Sequence, residues 1–289
     1  RNLLSLLTVA VACGSPGGAA MPTLSITHVA VVDVERGTVR SDRTVLVHGT
    51  RIERIDTAPL VTTPPSAQTI DGTGRFLIPG LWDMHVHIDD ARAAGQLLSW
   101  GCTGTRIMSG VLEETLALRQ GILGGRIRGP RVFLVGLALH GRESYASDSG
   151  MALIQSAEDG RRAVDSLARR GVNFIKVHEG LSRAAWFTIA RTARQHDIPL
   201  TGHVPTTVTV EEASDSGLRS IEHMEFLPDQ CLAIFDSVAR ATRARLPAAC
   251  QRPTLERLFG HLHRNGVWLD PTIGPLRWFA RRQFPSILA

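Results

Sequence analysis

Lysine is almost missing from this chain. Of its 32 basic residues, 31 are arginine and one, Lys176, is lysine. Arginine serves wherever a plain positive charge suffices. The surviving lysine therefore marks a task closed to a guanidinium, which does not deprotonate. Tyrosine is equally scarce, with Tyr145 its single instance. A net charge of +5 and a pI near 9.6 would suit a polyanionic partner. The arginines are scattered, however, and no stacking platform accompanies them, which argues against nucleic acid as a partner. No apolar run spans a bilayer, and neither a low-complexity segment nor a solenoid-length repeat is present. With 289 residues, 43% of them apolar, the chain has room for one large domain, or for a large and a small one.

The first residues read as an export signal. Arg1 precedes the apolar run Leu3-Leu4-Ser5-Leu6-Leu7-Thr8-Val9-Ala10-Val11-Ala12, which is too short to be a membrane span. Ala10-Val11-Ala12-Cys13-Gly14 resembles a lipoprotein cleavage site, predicting a lipid anchor at Cys13 and residence in the periplasm or on the outer membrane. The alternative is cleavage after Ala20 with loss of Cys13. Export permits disulfides. Cys231 and Cys250 flank one helical insert and can staple it, whereas Cys102 lies in an apolar stretch and reads as a core thiol.

Three regions follow from the pattern: a signal and linker over 1–20, a small β module over 21–75, and a large α/β region over 76–289. In the second, short alternating runs at 25–32, 44–48 and 51–55 are separated by Asp, Gly and Pro-Pro turns, as in hairpins. His28 and His48 fall here as surface or edge residues. In the third, strand candidates at 77–85, 102–108, 131–139, 173–177, 199–204, 219–224 and 266–273 alternate with helical patterns at 157–170, 182–195 and 254–264. Buried strands alternating with amphipathic helices predict a parallel sheet covered by helices. Seven such strands with polar residues at their C-terminal ends point to a TIM-type (β/α)8 barrel lacking its last strand. After Ile273 only a short arginine-rich helix, 276–283, is expected.

The strand ends carry the chemistry. In Asp83-Met84-His85-Val86-His87 the two histidines are i and i+2 on one strand, so both imidazoles face one point. Lys176 ends the fourth strand, His203 the fifth and His223 the sixth, at spacings of 27 and 20 residues that suit one βα unit each. In a barrel these ends share one mouth. His85, His87, Lys176, His203 and His223 would then form a single metal-binding cluster. His178, two residues beyond Lys176, and His140, Arg142 and Tyr145 after the third strand are candidate substrate contacts. Arg106 reads as a solvated or salt-bridged group, and Asp270 as structural.

Pro79-Gly80-x-x-Asp83-x-His85-x-His87, Phe174-Ile175-Lys176-Val177, His203 and His223 together resemble the amidohydrolase superfamily, nearest to its imidazolonepropionase-like and Xaa-Pro dipeptidase-like bacterial members. The likeness runs from about Thr23 to Ile273. It implies that the N-terminal hairpins belong to a small β-sandwich. It also implies two divalent metal ions, zinc by preference, with His85 and His87 on the first and His203 and His223 on the second. Lys176, carboxylated by CO2, would bridge them as a carbamate, since a buried amine loses its proton readily. The expected activity is metal-dependent hydrolysis of amide or other C–N bonds in a small or dipeptide-like substrate. A deaminase, a lactone or ester hydrolase, and a non-catalytic envelope lipoprotein scaffold remain as alternatives. The family places a catalytic aspartate at the end of an eighth strand. Asp270 matches the seventh, so the sequence predicts a fragment of a protein roughly a hundred or more residues longer.

Overall fold

The computed structural model describes residues 23–143, 148–223 and 251–274. The leader with Cys13, Tyr145, the Cys231–Cys250 pair and the helix expected at 276–283 lie outside the described residues. The chain divides into two compact units at Pro79 and Gly80. Among the described residues no helix is long and apolar enough to cross a membrane.

The first unit is built on a long hairpin, β1 (Thr23–Asp33) and β2 (Thr38–His48). Its turn closes where Asp33 accepts from the Arg36 backbone N–H at 3.1 Å and Gly37 supplies a φ of 63°. β3 (Arg51–Thr57) extends the sheet beside β2, while β4 (Gln68–Asp71) and β5 (Phe76–Leu77) run parallel to β1. Alternation places Val29, Val31 and Val45 on the buried face, with Ile26, Val47, Ile55 and Leu77 packed around them. The pairing slips near Val29, where His28 and Asp42 both take positive φ and join side chains at 2.9 Å. This is a bulge with an exposed ion pair, in keeping with a surface role for His28. The described residues form one sheet here, without a second sandwich layer.

The second unit alternates strand and helix. Its elements are β6 (Leu81–Val86), α1 (Ala91–Ser99), β7 (Cys102–Ile107), α2 (Leu112–Leu123), β8 (Arg131–Leu134), β9 (Ala138–His140), β10 (Met151–Leu153), α3 (Ala157–Arg169), β11 (Ile175–Val177), α4 (Arg183–Gln195), β12 (Leu200–Gly202), α5 (Val210–Asp215), β13 (Leu218–Glu222), α6 (Arg252–Arg264) and β14 (Trp268–Asp270). Every pairing in this unit is parallel, in a three-stranded sheet β6-β7-β8 and a six-stranded sheet β10-β9-β11-β12-β13-β14. The result is the mixed α/β fold that the rhythm of the sequence predicts. Two strand expectations need correction. The run 77–85 is not continuous: Leu77 pairs with β1 in the first unit, and Pro79-Gly80 separates it from β6. The run 131–139 breaks at Val135-Gly136-Leu137, where Gly136 takes a φ of 70°, and its halves join different sheets.

Asn173 bridges those sheets. Its backbone N–H donates to the Leu134 carbonyl at 2.8 Å, and its Oδ1 accepts from the Leu134 N–H at 3.0 Å. A side-chain amide thus stands in for a strand neighbour. Around the strands, Trp186, Ile189, Leu181, Val164, Leu139, Leu134 and Ile175 are all but fully buried, each worth about 1.5–3 kcal/mol relative to exposure. The covering helices start on strong caps. Ser156 with Asp159 and Thr209 with Glu212 form reciprocal capping boxes, and Ser182 accepts from Ala185. Cys102 is a half-buried free thiol at the start of β7.

Candidate metal centre

Strand ends deliver the predicted residues to one place. The ring centroids of His87 and His85 are 5.2 Å apart, His85 and His223 4.7 Å, His223 and His203 5.0 Å, and His203 and His178 4.0 Å. Residues spread over more than a hundred positions therefore make one continuous group of imidazoles. His203 reaches it because Gly202, at φ 127°, passes so close to the Val177 backbone that a Cβ would collide with the Val177 carbonyl. His223 lies in the left-handed region at φ 63°, a conformation uncommon outside glycine. Lys176 is 2% exposed within β11, and its charge acts on His87.

The second ring nitrogens are engaged in a consistent way. His85 Nδ1 meets Glu222 Oε2 at 2.8 Å, His87 Nδ1 meets Ser109 Oγ at 3.0 Å, and His223 Nδ1 meets Thr272 Oγ1 at 2.7 Å. An oxygen partner on Nδ1 leaves Nε2 as the coordinating atom, the usual arrangement around a metal-binding histidine. The Nε2 atoms of His85 and His87 then face one another at 3.3 Å. Two ligands about 2.0–2.1 Å from one tetrahedral ion stand about 3.3 Å apart, so this pair fits a single zinc-sized cation. Burial, together with the charges of Lys176 and His85, pushes the His87 pKa down to about 4, only partly countered by Ser109 and Asp148. The imidazole is neutral at pH 7, as a ligand must be.

Glu222 escaped the sequence reading, although a carboxylate directly before His223 at a strand end was a usable signal. It is 1% exposed. Oε1 accepts from Thr201 at 2.7 Å, Ser220 at 2.6 Å and Arg106 at 2.9 Å, while Oε2 accepts from Arg106 at 3.1 Å and faces His85. Burial alone would raise its pKa. The hydrogen bond from His85, the Arg106 charge and the two hydroxyls outweigh that and hold it at about 2. Arg106 is not solvated. It is buried against Glu222, with Nε on the Met84 carbonyl at 2.7 Å and Nη1 on Ser220 at 3.0 Å.

Asp270, read as structural from the sequence, lies beside this group. One potential ligand atom from each of His85, Glu222 and Asp270 falls within a 4.8 Å cluster. Asp270 also approaches Arg106 at 3.5 Å, and burial followed by the Glu222 charge raises its pKa. Since both Glu222 oxygens are filled by donors, Glu222 is poorly suited to direct coordination. Asp270, Arg106, Met84, Phe174 and Trp268 also line a cavity of about 460 Å³.

The substrate candidates are less concentrated. His178 stacks on His203. His140 is buried at the end of β9, with a pKa lowered by burial. Arg142 is half-exposed and paired with Glu179 at 3.2 Å.

No protein-family model matches the sequence, and no curated protein does. Solved structures do match. A Bifidobacterium longum protein assigned as a prolidase is 25% identical at a TM-score of 0.64, over 71% of this chain and 55% of that one. An Xaa-Pro dipeptidase with methionine bound in its active site is 17% identical at a TM-score of 0.71, over 92% of this chain and 70% of that one. A prolidase complexed with N-methylphosphonate-L-proline is 22% identical at a TM-score of 0.62, over 86% and 77%. The chain thus spans 55% of the length of the first of these proteins.

Proposed function

We propose that this chain carries the metal centre of an amidohydrolase-type hydrolase that cleaves amide or other C–N bonds in small or dipeptide-like substrates. In this reading the two parallel sheets are staves of a (β/α)8-type barrel, and the metal site lies at the C-terminal ends of its strands. The observation that carries it is the common orientation of His85, His87 and His223. Each has an oxygen on Nδ1, and two of the Nε2 atoms stand 3.3 Å apart. The fold shared with a prolidase and an Xaa-Pro dipeptidase supports cleavage of C–N bonds.

His85 and His87 would hold one divalent ion, and His203 and His223 a second. Lys176 would supply a shared anionic ligand once its amine has added CO2. Zinc suits this nitrogen and oxygen donor set. Such ions, when bound, lower the pKa of water and polarise a scissile carbonyl. The chain's own residues do the rest. Burial keeps His87 neutral, Ser109 and Thr272 hold two rings, and His140, Arg142 and His178 would meet polar groups of a substrate. The leader pattern supports a reading in which Cys13 carries a lipid anchor and the protein resides in the periplasm or on the outer membrane.

Elemental analysis of the purified chain, coupled to hydrolysis of a panel of Xaa-Pro dipeptides, N-acyl amino acids and cyclic amides, tests this. The expected result is about two metal equivalents, and any hydrolysis is abolished by a chelator and restored by zinc. A folded chain that takes up no metal and cleaves none of the panel overturns it.

A further inference from the structure

We infer that Glu222 is a positioning residue that locks His85 in its Nδ1–H tautomer, with Arg106, Thr201 and Ser220 holding the carboxylate to that task; the inference rests on the metal-centre reading above. A neutral imidazole carries one proton on either ring nitrogen, and only the nitrogen without it can coordinate. His85 would bind through Nε2, because that atom faces Nε2 of His87. Its proton must then sit on Nδ1, 2.8 Å from Glu222 Oε2.

The surroundings make Glu222 an acceptor. The Arg106 guanidinium approaches both oxygens, at 2.9 and 3.1 Å, and it has protons only to give. Thr201 and Ser220 add hydroxyl donors at 2.7 and 2.6 Å to Oε1. The direction left on Oε2 points at the imidazole, so the histidine must donate. Arg106 is itself aimed by the Met84 carbonyl, one residue before His85, at 2.7 Å. The same carboxylate therefore ties β6, β7, β12 and β13 together. His223 follows Glu222 directly in sequence, so orienting His85 and spacing it from His223 are achieved by one group.

The test is a tautomer measurement beside a metal titration. In metal-free, ¹⁵N-histidine-labelled wild-type protein, long-range ¹H–¹⁵N spectra should give His85 as the Nδ1–H form. In a zinc competition against a chromogenic chelator, Glu222→Gln should weaken zinc binding about 10–100-fold. Glu222→Asp should recover part of that loss. An Nε2–H tautomer in the wild type overturns the inference, and so does a folded Glu222→Gln protein with unchanged zinc affinity. If Glu222→Gln does not fold, the wild-type spectrum decides. If the wild type has the Nδ1–H form yet binds no zinc, the tautomer lock stands and the metal-centre reading falls.

Discussion

Thr272 and His223 face each other across two strand ends, both with positive φ (45° and 63°), joined by a 2.7 Å contact between Oγ1 and Nδ1. A β-branched residue in the left-handed region is a real outlier, and such strain persists where the surroundings hold it. The His223 backbone N–H also donates to the Asp270 carbonyl at 2.7 Å, so backbone and ring are each held by one bond. Thr272→Val keeps the shape and the backbone strain but removes the hydroxyl. It should weaken metal binding about 10–100-fold, whereas Thr272→Ser should not. Chelator competition reads both.

Lys176 is the residue least open to replacement by arginine. Wild-type protein given ¹³C-bicarbonate should show a carbamate resonance, absent from Lys176→Arg. That variant keeps a charge but offers no amine that can lose its proton. Metal content in Lys176→Arg should fall from about two equivalents to one or fewer.

The Arg106–Glu222 pair sets up a double-mutant comparison. Removing Arg106 alone, as Arg106→Leu, strands a buried carboxylate and should cost about 3–5 kcal/mol in urea unfolding. Adding Glu222→Leu should recover most of that loss, because two apolar groups ask for no partner. A double variant no more stable than Arg106→Leu would mean that the cost lies in packing rather than charge.

Gly202→Ala should destabilise the protein by more than about 1 kcal/mol, since φ 127° and the nearby Val177 carbonyl both exclude a Cβ. Chemical denaturation measures this. The sequence signal was modest here: a glycine between Thr201 and His203, read as part of a strand end.

On the surface, Glu212 caps α5 and pairs with Arg183, and the guanidinium with the Thr209 N–H brings its pKa down to about 2 from 4.5. A depressed carboxyl stabilises the fold above its unfolded pKa and ceases to do so as pH falls through the folded one. The melting-temperature advantage of wild type over Glu212→Gln should be full above pH 4.5 and shrink towards pH 2.

Much of the site was legible because its residues sit at strand ends with regular spacing. His85, His87, His203, His223 and Lys176 announce themselves by type and by βα rhythm. The supporting residues do not. Ser109, Thr201, Ser220 and Thr272 are ordinary hydroxyl residues until topology brings them to a nitrogen or a carboxylate. Arg106 and Glu222 were visible as charges near strand ends, but their pairing bridges 116 positions that no local pattern connects. The fold was legible in the same measure. Helix starts at Ser156 and Ser182 follow from their caps, while the break at Gly136 and the division at Pro79-Gly80 depend on which sheet each fragment joins.

The separation of 137 positions between His85 and Glu222 sets an order of events. A ribosome will have made His85 and His87 long before the partner that orients the first of them, so the emerging chain offers a cation two imidazoles free to rotate. In the proposed reading, selective capture would await the docking of β13. Contacts this distant in sequence are slow to form, so under the proposed metal-centre reading loading with metal would be a late step, downstream of folding.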